Sequence, residues 1–313
     1  VAGIVAHRDG NREGLPARAP EESWVYAVAV TRGDEGLKLH ATVSRPASGR
    51  AYLALAGAGF KRYATYRQAM VAAAVTNSVF GFLRFAVMLA VIDAGTPTVA
   101  GYDEPQLATF VWAGQGLIGV VMLWSLPDLA DRIRTGDVVT DLLRPIDPIW
   151  QMLAADLGRA GYAAITRFVV PVLVGALAFD LYRPKRMSTY ALFACSALLA
   201  TIVCFGCRYL VNAAAYWLLD ARGPNTFWTL TSGILGGLYF PVWFLPDVMA
   251  VALIIGTPFP SVIQIPLDVL VERGGAALQL ELLGVQLGWA VVILALCRWV
   301  QAHGERKLVI QGG

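Results

Sequence analysis

No G-x-x-x-x-G-K-[ST] run occurs in this chain, so it has no P-loop with which to cradle nucleotide phosphates. H-E-x-x-H and G-x-S-x-G are missing too, no Ser-His-Asp arrangement appears, and the three histidines, His7, His40 and His303, stand far apart. These absences argue against a catalytic centre contained within the chain. Cysteine is scarce: Cys195, Cys204, Cys207 and Cys297 all lie in apolar stretches. Cys204 and Cys207 form a C-x-x-C, but no His or second Cys pair follows at zinc spacing, so small buried helix residues are the better reading. Charge is scarce as well. Only 15% of the residues are charged, against roughly 25% in a soluble domain. The net charge of +3 makes no case for a nucleic-acid partner.

What the chain has instead is apolar surface. Of its 313 residues 57% are hydrophobic, and the mean hydropathy is +0.58. A single soluble core has no room for that excess, which points to an all-α integral membrane protein. A crossing helix needs about 20 apolar residues to cover ~30 Å of hydrocarbon. Six segments qualify as expected transmembrane helices: 69–92, 105–126, 161–180, 188–218, 226–244 and 277–299. No internal repeat relates them, so the inverted-repeat signature of many secondary transporters is missing.

Residues 1–50 differ from the rest and read as a polar leader to a membrane domain at 51–313. The leader is either disordered or spurious, or a small appendage in which 23–30 and 37–43 pair as a β-hairpin; the residues leave both open. Ala51 to Arg67 mixes tyrosines and Phe60 with Lys61 and Arg62, the pattern of an interfacial helix in the headgroup plane. Pro241 to Gly275 holds five prolines around a short apolar stretch, Val248 to Gly256, which predicts an outer re-entrant segment. Lys and Arg near the span ends favour both termini on the cytoplasmic side. The RPKR turn at 183–186 argues the other way but is one loop against several. Tyr102, Tyr239 and Trp243 then fall near the outer interface, where aromatic belts are expected.

Two sets of residues stand out as candidate functional sites. The first is the charged run Pro127–Arg159 between two apolar spans, longer than a simple helix connection needs. Within it Asp128, Asp131, Arg132 and Arg134 can share one or two faces of a short helix, with Leu129 and Ile133 as its apolar side. Gly136 can end that helix, and Asp137, Asp141, Arg144 and Pro145 shape the next stretch of chain. Such a loop on the cytoplasmic face reads as a docking element. Its aspartates alternate with arginines, so solvated charge pairs are a better reading than a metal site. The second set lies inside the spans. Arg84 and Arg208 each carry an insertion cost of at least ~2.5–3.5 kcal/mol and need a partner, a cavity or a route to the interface. They line either a substrate path or subunit interface, or serve structure alone; Gln115 and Asn212 pose the same question more weakly.

The run ArgIleArgThrGlyAspVal at 132–138, followed by AspLeuLeuArgPro at 141–145, resembles the cytoplasmic signature of the permease subunits of type-2 ATP-binding-cassette (ABC) exporters, in their bacterial six-span branch. ThrProPheProSer at 257–261 and IleProLeuAspVal at 265–269 resemble that branch's outer segment, and ArgLysLeuValIleGlnGlyGly at 306–313 resembles its C-terminus. The similarity covers about residues 51–313; the leader departs from it. The resemblance implies a coupling helix in the 127–159 loop that contacts a separate ATPase subunit. It also implies a second permease subunit, identical or related, with ATP and Mg held on the ATPase and no cofactor in this chain. The expected location is the cytoplasmic (inner) membrane. Two other classes stay open: an ion-coupled secondary transporter, and a non-transporting membrane scaffold.

Overall fold

The computed structural model describes residues 28–33, 36–41, 49–65, 67–93, 98–124, 129–138, 141, 146–218 and 221–307. From residue 49 onward every regular element among them is helical. Four helices are long and apolar enough to cross a membrane: Val71–Ala90, Pro148–Ala178, Met187–Tyr216 and Gly275–Lys307. The chain is therefore an α-helical integral membrane protein. One element departs from the all-α expectation. Strands β1 (Val28–Gly33) and β2 (Gly36–Ala41) pair antiparallel in the leader, with Gly33 opposite Gly36 across a two-residue connection. Residues 1–27 and 42–48 of the leader lie outside the described residues.

Helix α1 (Gly49–Ala64) buries none of its residues, yet it does not lie apart. It runs parallel to the helix that opens at Pro148, with Ala56 near Gly158, Gly59 near Ala155 and Tyr63 beside Arg159. A Cβ at Gly158 would run into the Ala56 carbonyl, so this crossing needs a residue without one. Phe60 meets Tyr162 edge-on at 5.2 Å one turn away.

Helix α2 (Arg67–Asp93) covers the first expected span. Helix α3 (Glu104–Val121) covers most of the second. Asp103 caps it: the carboxylate accepts from the Gln106 N–H at 2.8 Å, while the Gln106 side chain accepts from the Asp103 N–H at 3.0 Å. Its 18 residues include Glu104, Gln106 and Gln115, yet most of the helix is buried inside the protein. The reason is position: Leu107, Phe110, Trp112 and Leu117 are fully enclosed, and α2 and the helices described below close around α3. Protein, not lipid, surrounds α3.

After the short helix α4 (Leu129–Thr135), α5 (Pro148–Ala163) starts on an Asp147 cap and continues through a π turn (Ala164–Phe168) into α6 (Val169–Ala178). The helical rod that holds the third span expected at 161–180 begins earlier, at Pro148, and Asp156 and Arg159, which read as loop charges in one dimension, are paired inside the bundle. Helix α7 (Met187–Ala213) and the last helix, α11 (Gly275–Gly304), match the fourth and sixth expected spans and pack on each other.

The fifth expected span, 226–244, is not one helix. Helix α8 (Arg222–Leu235) stops after 14 residues, about 21 Å of rise and short of the ~30 Å core. Gly237 at φ 81° and Pro241 end it. The chain then forms α9 (Asp247–Gly256) and the wholly buried α10 (Gln264–Leu270). It folds back on itself: the Gln264 N–H donates to the Gly236 carbonyl at 3.0 Å, and the Val242 N–H to the Gln264 side-chain oxygen at 2.7 Å.

Candidate functional site

The 129–138 segment is pinned from within and charged without. Leu129 and Val138 are buried, and Ile133 packs against the same core. The helix rests on the end of α7 and the 3-10 turn at Ala214–Tyr216. Asp131 and Arg134 pair at 3.2 Å with both side chains exposed. Arg132 reaches Asp141 at 2.5 Å. Gly136, at φ 82°, turns the chain, and its N–H donates to the Ile133 carbonyl at 3.3 Å. The Thr135 hydroxyl donates to Asp137 at 2.8 Å. Asp131, Arg134, Thr135, Gly136 and Asp137 thus form one exposed polar edge. Asp128, Arg144 and Pro145 lie outside the described residues.

Arg208 is not a free charge in the membrane. It is buried and reaches Asp156 Oδ2 at 2.8 Å, while Asp156 Oδ1 accepts from Arg159 Nε at 2.7 Å. Arg159 also donates to the carbonyls of Gly119 and Val120 at 3.1 and 2.8 Å. Those carbonyls belong to the last turn of α3, which has no intrahelical donors for them. One carboxylate between two guanidiniums leaves an excess positive charge, and the negative end of the α3 dipole sits where it is needed. Asn212 donates to its own helix at the Arg208 carbonyl, 2.8 Å away. Arg208 and Asn212 are thus both engaged within the bundle. Asp156, which pairs with Arg208, and Arg159, which shares that carboxylate, do not stand out in the sequence. A deep arginine implies a carboxylate somewhere, but 52 residues of separation hide which one.

Arg84 is different. It sits on α2 beside Gly114 of α3, and its Nε and Nη1 are buried with no hydrogen-bond acceptor among the described residues. Gln115 is buried next along α3, where its backbone carbonyl accepts from Asn77 at 3.0 Å. The four intramembrane candidates therefore fall in two places. Arg84 and Gln115 both lie at the α2–α3 contact, and Arg208 and Asn212 lie on α7 near the end of α3.

At the opposite end from α4, two carboxylates on one turn organise the loops. Asp268 is fully buried and accepts from Tyr102, from Gln264 at 2.9 Å and from Trp243 at 2.8 Å. Arg273 stacks over Trp243, 4.1 Å from its centroid. Tyr102 is thus buried in this network, not part of an interfacial belt, whereas Tyr239 is exposed. Glu272 is held at φ 55°, a left-handed backbone its side chain explains. It accepts from Tyr182 at 2.8 Å, Thr189 at 2.5 Å, the Lys185 N–H at 3.0 Å and Arg186 at 3.2 Å. Burial pushes its carboxyl up, but those hydrogen bonds outweigh it and hold the pKa at about 2.

Comparison with curated proteins and with solved structures returned no match. A family model described as ABC-2 family transporter protein matches residues 77–312. That range takes in most of the first span and all of the others, the α4 segment, the Asp156 cluster, Asp268 and Glu272, well over half of the chain; the protein belongs to the ABC-2 transporter family.

Proposed function

We propose that the chain is the permease subunit of an ATP-driven exporter, coupled through the 129–138 segment to a separate ATPase subunit. The observation that carries this is the build of that segment: three apolar anchors fix it to the bundle while its polar edge faces outward. A force applied there reaches α7 directly through packed side chains. The motor is a partner carrying ATP and Mg, since this sequence has no P-loop. Two permease subunits, identical or related, enclose the path in the inner membrane, with both termini and α4 on the cytoplasmic side.

The six-span arrangement comes from counting α3 as a crossing and treating α8, α9 and α10 together. The fold-back of Gln264 onto Gly236 supports a segment that enters the bilayer and returns. The ion-coupled rival wants a titratable carboxylate free to exchange protons in the spans. Asp156 is bound between two arginines and poorly suited to that task.

The test is charge reversal, Arg132→Glu with Arg134→Glu, beside the swap Asp131→Arg with Arg134→Asp, which keeps the exposed pair but reverses its polarity. Both variants keep Leu129, Ile133 and Val138 and retain the fold. At least tenfold less P-loop ATPase co-purifies with either, and export in cells falls in step. Unchanged ATPase recovery and unchanged export would exclude the segment as the coupling element.

A further inference from the structure

Among the described residues, Arg84 is the intramembrane arginine whose surroundings leave its guanidinium nitrogens without acceptors. Its Nε and Nη1 are buried and meet none. The polar residues nearest to it along α2 are already committed elsewhere. Thr76 donates to the Ala72 carbonyl, Ser78 to the Ala74 carbonyl, and Asn77 crosses to the Gln115 carbonyl. Across from the guanidinium stands Gly114, which brings no acceptor: a Cβ there would touch Leu267 at 3.3 Å and Nη1 at 3.9 Å. The nearby Tyr239 acts on Arg84 electrostatically but makes no hydrogen bond to Nε or Nη1. A guanidinium offers five N–H donors in a fork shaped for carboxylate or phosphate. Keeping it in the bilayer with those donors idle carries the insertion cost without return.

The position is reachable at the edge of the guanidinium, since Nη2 is not among its buried nitrogens. Arg84 itself is only half-buried, and its helix neighbours Phe80, Leu83 and Val87 are exposed at 54%, 58% and 59%. They make an apolar strip one turn to either side of it. Along the span, Arg84 lies six residues before Ala90, about 9 Å from that end at 1.5 Å per residue. An acid headgroup drawn that far below the interface would pair with the guanidinium while its tail lies on Phe80 and Val87.

We infer that the Arg84 guanidinium, on the exposed apolar strip of α2, forms a binding site for the acidic headgroup of an anionic amphiphile. The amphiphile is either a resident anionic phospholipid or an exported acidic amphiphile; the chemistry at Arg84 is the same. The second source rests on the permease reading above. Binding is measured on the permease alone, so the site and the ATPase coupling can fail separately.

The experiment uses full-length protein in dodecyl maltoside, wild type against Arg84→Gln and Arg84→Lys, with dodecyl phosphate, dioleoyl phosphatidate and dioleoyl phosphatidylcholine as probes. Native mass spectrometry reads occupancy. Both phosphate monoesters bind wild type at least tenfold more tightly than phosphatidylcholine does. Arg84→Gln abolishes that preference and Arg84→Lys retains most of it. An anionic phospholipid carried through purification by wild type and absent from Arg84→Gln identifies the resident source. A site that arrives empty and fills with dodecyl phosphate identifies the free amphiphile. Equal binding of the zwitterionic lipid, or unchanged binding in Arg84→Gln, overturns the site. Should Arg84→Gln lack the wild-type melting transition, wild type decides alone. Dodecyl phosphate must then shield Arg84 from phenylglyoxal, read by peptide mass spectrometry, and labelling that is the same with and without it overturns the site.

Discussion

Asp156 shows how far one side chain governs this bundle. It neutralises Arg208 and orients Arg159, and through Arg159 it completes the end of α3. Asp156→Asn would remove the carboxylate that two buried guanidiniums share, a loss of about 3–5 kcal/mol by the usual cost of breaking a buried pair. Thermal unfolding in detergent should show a clearly lowered midpoint, while Arg134→Gln on the exposed edge of α4 should leave it within error. Glu272 gives a pH signature of its own. Its folded pKa, about 2, lies below the ordinary 4.5, so the hydrogen bonds it accepts stabilise the fold in full above pH 4.5. That contribution is lost as pH falls from 4.5 through about 2. The difference in melting midpoint between wild type and Glu272→Gln should therefore be constant near neutrality and shrink through that window; a difference that persists at pH 2 would contradict it. Neither role is visible in one dimension. Both carboxylates act through partners on other helices, and spacing along a chain carries no information about such pairs.

At the level of elements, the apolar runs are the easiest feature to read, because lipid demands a long uninterrupted stretch and α2, α7 and α11 supply one. Difficulty comes wherever protein replaces lipid as the surroundings. Helix α3 keeps Glu104, Gln106 and Gln115 while enclosed by other helices, and the 148–178 rod begins inside what reads as a loop. The segment expected at 226–244 breaks at Gly237 and Pro241, two residues whose backbone preferences are in plain view but are outweighed by the apolar count. The α1–α5 crossing is a further case: Ala56, Gly59, Ala155 and Gly158 read as unremarkable small residues until they face each other. Gly158→Val should force the two helices apart. Hydrogen exchange over residues 49–64 should then accelerate at least tenfold, with α7 and α11 unchanged; equal protection in the variant would mean that the crossing does not hold α1 in place.

For the molecule as a whole, the two polar assemblies sit at opposite ends of the bundle. The α4 segment lies where α3 and α7 end, and the Asp268 and Glu272 networks lie where α3 and α7 begin. This arrangement sets the topology if α3 crosses the bilayer. The RPKR turn at 183–186, awkward for a rule that places positive charge inside, has a structural employer: Arg186 and the Lys185 N–H both bind Glu272. Positive charge there serves a local network and need not report orientation. Single cysteines at Thr135 and Glu305 should accordingly react with an impermeant maleimide only after the cell membrane is opened. Cysteines at Arg183 and Gly101 should react in intact cells. Cysteine at Val248, exposed on the short apolar α9, decides the fold-back: a segment that dips and returns leaves it shielded by lipid while cysteines at both Tyr239 and Arg273 label from outside. Labelling of position 239 from inside with position 273 from outside would instead make α9 and α10 the crossing. Labelling of position 273 from inside would turn the last helix round and carry its C-terminal end away from the start of α5, where Arg298 pairs with Asp147 at 3.2 Å.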